Sequence, residues 1–177
     1  MRLYEATSCP FCARVRLALA EKGCAYESVQ IDLRARPDWL YRLDAPGLVP
    51  VLEEDGFVLG ESVAIMEYLE ERFPEPRLLP ADLRERARAR LAVVRFEQRL
   101  GRDERAHRRG LDNELEARLE QLPLGLSLLS DFAYLPWLLR LRERATVVLP
   151  ERVNAWLAEL ERRDSVAAEL QLAAGRA

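Results

Sequence analysis

The residues best suited to chemistry stand together near the start of this 177-residue chain. Cys9 and Cys12 are spaced Cys-x-x-Cys in Ser8-Cys9-Pro10-Phe11-Cys12. The thiolate is the reactive form, and a free thiol with a pKa near 8.5 is only about 3% thiolate at pH 7. A pKa of about 6 makes it roughly 90% thiolate, a shift that takes about 3.4 kcal/mol. Pro10 to Lys22 reads as a helix, with Pro in its first turn and Gly23 as its stop. Cys9 is then expected at the helix N-terminus, facing unpaired backbone N–H groups and the positive dipole end. The dipole supplies ~0.3–2 kcal/mol, so hydrogen bonds from the turn must supply the rest. Cys12, one turn on, is close enough to attack a mixed disulfide on Cys9 as a resolving thiol. Two other uses of the pair stay open: half of a zinc site, or two small side chains filling space.

Composition narrows the chemistry around this pair. Only three cysteines are present, too few for a disulfide scaffold and unlike a four-ligand zinc site. A single histidine, His107, excludes HExxH metalloproteases and leaves one candidate base for Cys–His or Ser–His catalysis. No metal is therefore expected. A net charge of −3 gives no basic field for nucleic acid. The most apolar stretch, Leu122 to Leu139, contains Pro123, Gly125, Asp131 and Pro136. A central Asp costs about 2.5–3.5 kcal/mol in a membrane span, so this stretch reads as a buried helix of a soluble core. The chain opens on a strand-like Arg2-Leu3-Tyr4 with no secretory leader, and cytoplasmic localisation with reduced thiols is expected. All but one of the 27 basic side chains are Arg, Lys22 being the exception, which reads as genome composition.

The elements that position the cysteines fall into two parts. Residues 1–77 carry net charge −5 and residues 78–177 net +2. Phe73-Pro74-Glu75-Pro76-Arg77-Leu78-Leu79-Pro80 is a stiff linker between them. In the first part, strands are expected at Leu3-Tyr4, Ala25–Ile31, Val49–Leu52 and Phe57–Leu59. Helices are expected at Pro10–Lys22, Pro37–Leu43 and Glu61–Phe73. Asp55-Gly56 marks a hairpin turn. The order is βαβαββα, with a parallel pair followed by an antiparallel hairpin. The second part is all helix: Leu83 to about His107, Asp112–Gln121, Asp131–Leu141, Pro150–Arg163 and a short helical tail from Ser165.

This order with Cys-Pro-Phe-Cys resembles the thioredoxin-like fold, and the motif is similar to glutaredoxin. Gly47-Leu48-Val49-Pro50-Val51-Leu52 and Glu61-Ser62-Val63-Ala64-Ile65-Met66-Glu67-Tyr68-Leu69 narrow the resemblance to the glutathione S-transferase N-terminal domain. The helical part fits that family, including Asp131-Phe132-Ala133 before Pro136-Trp137. Cys9-Pro10-Phe11, Arg14, Arg16 and Arg36-Pro37-Asp38-Trp39 resemble its omega class, which uses a cysteine where most classes use Tyr or Ser. The resemblance implies a two-domain fold: a thioredoxin-like glutathione-binding domain over 1–77 and an all-α domain over 78–177. It implies that Cys9 forms the mixed disulfide with glutathione. It gives Arg36 the glycine-end carboxylate, Val49 a backbone pairing, Pro50 a cis bond, and Glu61 and Ser62 the γ-glutamyl end. The expected activity is glutathione-dependent thiol–disulfide exchange on a disulfide or glutathionylated substrate.

The resemblance has departures. The expected second helix of the all-α part is short, which implies an open site suited to a bulky disulfide. Leu128 stands where the family caps its central helix with Ser or Thr, and Ser127 or Ser130 is expected to substitute. A second resemblance, Ile65-Met66-Glu67-Tyr68-Leu69-Glu70-Glu71-Arg72-Phe73-Pro74 with Arg163-Asp164-Ser165, is to stringent starvation protein A, a transferase-fold RNA polymerase-binding protein without the activity. That protein lacks the Cys-Pro-Phe start. Residues 84–109 carry net +6 and residues 53–75 net −7, which fits a homodimer with opposed faces.

Overall fold

The computed structural model describes residues 1–108, 115–143 and 147–175, with side chains other than those of 100–108 and 116. Two compact units are present: Met1–Arg77 with Arg163–Ala177, and Leu78–Arg162. The first opens with β1 (Arg2–Glu5), α1 (Pro10–Glu21), β2 (Glu27–Gln30) and α2 (Asp38–Leu43). It continues through β3 (Val51–Glu54), β4 (Phe57–Leu59) and α3 (Ser62–Arg72). The sheet order is β2-β1-β3-β4. β1 pairs parallel with β2 and antiparallel with β3, and β3 pairs antiparallel with β4, in the expected thioredoxin-like arrangement. Asp55 and Gly56 both take positive φ, 51° and 83°, the left-handed pair that a two-residue hairpin requires.

Side chains alternate across β1. Leu3 and Glu5 point one way, and Glu5 meets Arg16 of α1. Tyr4 points the other way, its ring centroid 5.5 Å from that of Trp39 in α2. Leu40, Val49, Val51 and Ile31 join Tyr4 in a buried cluster that also holds Cys9 and Cys12. Both thiols are thus fixed to the sheet's core.

The second unit holds α4 (Leu83–Arg108), α5 (Leu115–Glu120), α6 (Leu128–Arg142) and α7 (Glu151–Leu160). The expected helix start at Asp112 lies outside the described residues. The central helix begins at Leu128 rather than at Asp131, because Ser127 caps it: its Oγ accepts the Ser130 N–H at 3.1 Å. The Asp131 carboxylate accepts the Gly125 N–H at 2.9 Å and holds the preceding turn.

α8 (Asp164–Ala174) closes the chain and belongs to the first unit, although the sequence reading grouped residues 163–177 with the helical part. Polar contacts dock it on α1. Arg16, buried, donates to Glu169 at 2.6 and 2.7 Å and also pairs with Glu5. At the other end, Glu21 accepts from Arg163 and from the Ser165 hydroxyl at 2.7 Å. Burial pushes the Glu21 carboxyl up, but the hydrogen bonds from Arg163 and Ser165 and the Arg163 charge carry it below its usual value. A carboxyl depressed on folding stabilises above its unfolded pKa, about 4.3, and that stabilisation is lost as pH falls through the lower folded value. Hydrogen exchange of the α8 amides, corrected for intrinsic rates, is expected to accelerate on acidification below about pH 4. In Glu21→Gln this pH dependence is expected to shrink; an unchanged profile contradicts the linkage.

Candidate functional site

The β1–α1 turn presents the cysteines. The Thr7 N–H and hydroxyl both donate to the Gln30 side-chain Oε1, at 3.2 and 2.7 Å, and anchor the turn to β2. The Cys9 N–H donates to the Ala6 carbonyl at 2.9 Å. Cys9 is the N-cap of α1 and Pro10 follows in its first turn, as expected from the sequence. Contrary to the sequence expectation, no side-chain capping hydrogen bond joins the Cys9 sulfur to the turn, and the positive dipole end of α1 is what favours a thiolate there.

Cys12 is in a different state. It has no exposed surface, and its sulfur accepts the Ala6 N–H at 3.4 Å. A hydrogen bond to Cys9, reinforced by burial and by the Cys9 charge, pushes the Cys12 thiol far above its usual range. Cys12 therefore stays protonated and donates towards Cys9. Cys12 is thus the neutral donor one turn inside, behind the Cys9 sulfur at the helix cap.

A cavity of about 370 Å³ lies on the far side of Val49, and Cys9 is not among its lining residues. Its lining includes Val49, Pro50, Glu61 and Ser62, four of the residues singled out from sequence. The Val49–Pro50 bond is cis. The Cys9 thiol donates to the Val49 carbonyl at 3.8 Å, so the sulfur sits against this backbone edge. Glu61 caps α3 with φ of 63°, an uncommon conformation for a residue with a side chain. It delivers Ser62 and the α3 N-terminus to the cavity, where backbone N–H groups suit a carboxylate. The Ser62 Oγ in turn accepts from Nη1 of the fully buried Arg14 at 3.2 Å.

Arg36 is not among the residues lining this cavity. It stands between β2 and α2, half-buried, and its Nε is buried without a hydrogen-bond partner among the described residues. Phe11, Asp44, Leu48 and Gly60 line the cavity and were not singled out from sequence. A Cβ on Gly60 would come within 3.2 Å of the Asp44 carboxylate, so glycine there admits a second acid next to Glu61. Phe11 and Leu48 are exposed and make the mouth apolar.

Comparison with known proteins gives this geometry a family. Residues 3–77 match the glutathione S-transferase N-terminal domain. The chain is 30% identical to glutathione S-transferase omega-1 of Sus scrofa over 95% of its own length and 79% of that protein. This chain belongs to the glutathione S-transferase family. The chain is also 43% identical over 98 residues to a stringent starvation protein A homolog of Haemophilus influenzae. That match covers 55% of the chain and 46% of the relative. Among solved structures, glutathione transferase Omega 3C from Trametes versicolor superposes with a TM-score of 0.78 at 26% identity. It covers 95% of this chain and 83% of its own.

Family membership makes sense of features that the residues alone leave open. The cavity is lined by Val49 and Pro50 just before β3 and by Glu61 and Ser62 at the start of α3, with Asp44 from the end of α2. Among the described residues, no group of three or more His, Cys, Asp or Glu side chains is placed to hold a metal ion, and no helix is long and apolar enough to cross a membrane.

Proposed function

We propose that this glutathione S-transferase family member catalyses glutathione-dependent thiol–disulfide exchange with Cys9 as nucleophile. The observation that carries the reading is the contact of the Cys9 thiol with the Val49 backbone at the cavity's edge, with Cys12 held neutral behind it. The Cys9 thiolate attacks the glutathionyl sulfur of a mixed disulfide. The substrate's S–S bond breaks, a Cys9–glutathione disulfide forms, and the departing thiolate takes a proton from water. A second glutathione thiolate then attacks the glutathionyl sulfur on Cys9. Glutathione disulfide leaves, the Cys9 thiolate returns, and two electrons have passed from glutathione to substrate.

The cavity supports the binding half. Glu61 supplies an anion for the γ-glutamyl ammonium, and Ser62 with the α3 N-terminus accepts its carboxylate. The Val49 backbone pairs with the cysteinyl part, as an extended peptide adds to a strand edge. Arg36, with its Nε uncommitted, is assigned the glycine-end carboxylate. Such exchange needs reduced thiols, so the reading places the protein in the cytoplasm, without a resident metal and with no nucleic-acid or membrane partner. A homodimer with the acidic 53–75 face opposite the basic 84–109 face belongs to the same reading, and a monomer mass in solution contradicts it.

The test is glutathione-dependent reduction of a small mixed disulfide. Glu61→Gln and Ser62→Ala are each expected to raise the KM for glutathione about tenfold or more with kcat little changed, the loss of a charge-assisted contact. An unchanged KM in both removes this cavity from glutathione binding. The likeness to the Haemophilus relative favours a second reading, a non-enzymatic regulator that binds RNA polymerase. No turnover and no glutathione binding by the native protein would favour that reading.

A further inference from the structure

The turn that presents Cys9 is held by a closed ring of hydrogen bonds. The Thr7 N–H and hydroxyl donate to Oε1 of Gln30. Nε2 of Gln30 donates to the Ser28 hydroxyl oxygen at 2.9 Å, and that hydroxyl donates to Oε1 of Glu5 at 2.7 Å. Arg16 closes the ring: its Nη1 pairs with Oε2 of Glu5, and its Nη2 donates to the Thr7 carbonyl at 3.3 Å. The N–H, hydroxyl and carbonyl of Thr7 are thus all engaged, just ahead of the nucleophile in the chain. Every donor in the ring meets an acceptor, so each bond orients the next.

Glu169 of α8 ties this ring to the C-terminal helix. Its carboxylate takes Nε and Nη2 of Arg16 in a fork, at 2.7 and 2.6 Å. A bidentate pair sets the plane of the guanidinium as well as its position. Glu5 and Glu169 therefore grip Arg16 from β1 and from α8, and the second Nη2 proton is aimed at the Thr7 carbonyl. Arg16, Glu5 and Glu169 are all buried, so salt screens this cluster little. The other docking contact of α8, Arg163 and Ser165 on Glu21, lies at the opposite end of α1 from Cys9.

We infer that Arg16 is a positioning residue for Cys9 and that Glu169 sets it, so that docking of α8 fixes the turn on which the thiolate forms. The inference rests on Cys9 as the nucleophile of the proposed exchange. With the ring intact, the Cys9 sulfur keeps its place at the positive end of α1. With Arg16 released from Glu169, the turn loosens and the dipole's hold on the thiolate weakens.

Alkylation of Cys9 by iodoacetamide, followed as a function of pH on the full-length protein, reads the thiolate fraction. A Cys24→Ser background and peptide mapping confine the reading to Cys9. Glu169→Ala removes the fork and leaves Arg16 paired with Glu5. Gln30→Ala, at an exposed position, opens the ring from the other side and carries the same test if Glu169→Ala does not fold. Each is expected to slow alkylation at about pH 6.5 by roughly fivefold or more and to move the profile to higher pH. Arg163→Gln loosens the far end of α8 without touching the ring. It is expected to lower thermal melting and leave the alkylation profile in place. A folded Glu169→Ala or Gln30→Ala protein with the native profile, or an equal displacement in Arg163→Gln, overturns the inference. Alkylation needs no glutathione, so an absence of turnover would count against the exchange reading and leave this measurement intact.

Discussion

Cys9→Ser is expected to lose turnover of a glutathionyl mixed disulfide by about a thousandfold or more, to the uncatalysed background. A serine hydroxyl cannot form the S–S bond on which both halves of the exchange depend, and no second thiol can replace it. Cys12 has no exposed surface and is held as a neutral thiol by its hydrogen bond to Cys9 and by burial. Cys24 lies past the end of α1, and burial also pushes its thiol up. Cys12→Ser gives the contrasting result. Its hydroxyl keeps a donor towards Cys9, so turnover is expected to stay within about tenfold of native. Equal loss in both variants would instead establish a dithiol, glutaredoxin-like cycle. The comparison is made by steady-state assay at pH 7, with circular dichroism confirming that each variant is folded.

The second large effect concerns stability. Lys22→Met is expected to cost about 3–5 kcal/mol, the usual penalty for removing one partner of a buried ion pair. Lys22 and Glu70 are 0% and 4% exposed at their side chains and 2.6 Å apart. The same ammonium donates to the Phe73 carbonyl at 2.6 Å and the Pro76 carbonyl at 2.7 Å. Its three protons therefore tie the end of α1 to the end of α3 and to the chain beyond it. Substitution takes one buried donor from a carboxylate and two carbonyls at once. At about 2–4 °C per kcal/mol for a chain of this size, thermal melting is expected to fall by roughly 10–15 °C. Adding Glu70→Met removes the buried carboxylate as well and is expected to restore part of the loss, the two carbonyls accounting for the remainder. A fall below about 2 °C in the single variant contradicts the assignment.

The parts of the fold written in local signals were legible. Pro10 and Gly23 bracket α1, Asp55-Gly56 makes the hairpin, and Val49-Pro50 carries the cis bond. Periodicity placed α7 to within a few residues because its buried stripe of Val153, Trp156, Leu157 and Leu160 is continuous, whereas on α4 the helically spaced Leu83, Ala87, Leu91 and Val94 are exposed and Ala89, Ala92, Val93 and Phe96 form the buried face. What escaped depends on contacts distant in sequence. Arg16 and Glu169 are 153 positions apart, and nothing local marks α8 as a partner of α1. Lys22 read as a compositional accident, since three buried acceptors assemble around it only on folding. The start of α6 was set by Ser127, a cap that competed with Ser130 and Asp131 for the same role.

The site divides in the same way. Cys9, Val49, Glu61 and Ser62 belong to short motifs, and the fold brings Val49, Glu61 and Ser62 to one cavity and sets the Cys9 thiol against the Val49 carbonyl. Asp44 and Gly60 have no motif. Their signal is steric, a glycine where a Cβ would meet a carboxylate, and it appears only in three dimensions. The buried Arg14, which steadies Ser62 from α1, was visible as part of the first-helix pattern but not as a support for α3.

The central claim is that Cys9 is the sulfur that carries glutathione. Mass spectrometry of the intact protein after exposure to glutathione disulfide, followed by peptide mapping, tests it most directly. One glutathionyl adduct is expected per chain, on Cys9 and released by added glutathione, and none is expected on Cys12. An adduct confined to Cys24, or no adduct while Cys9 remains a free thiol, contradicts the claim.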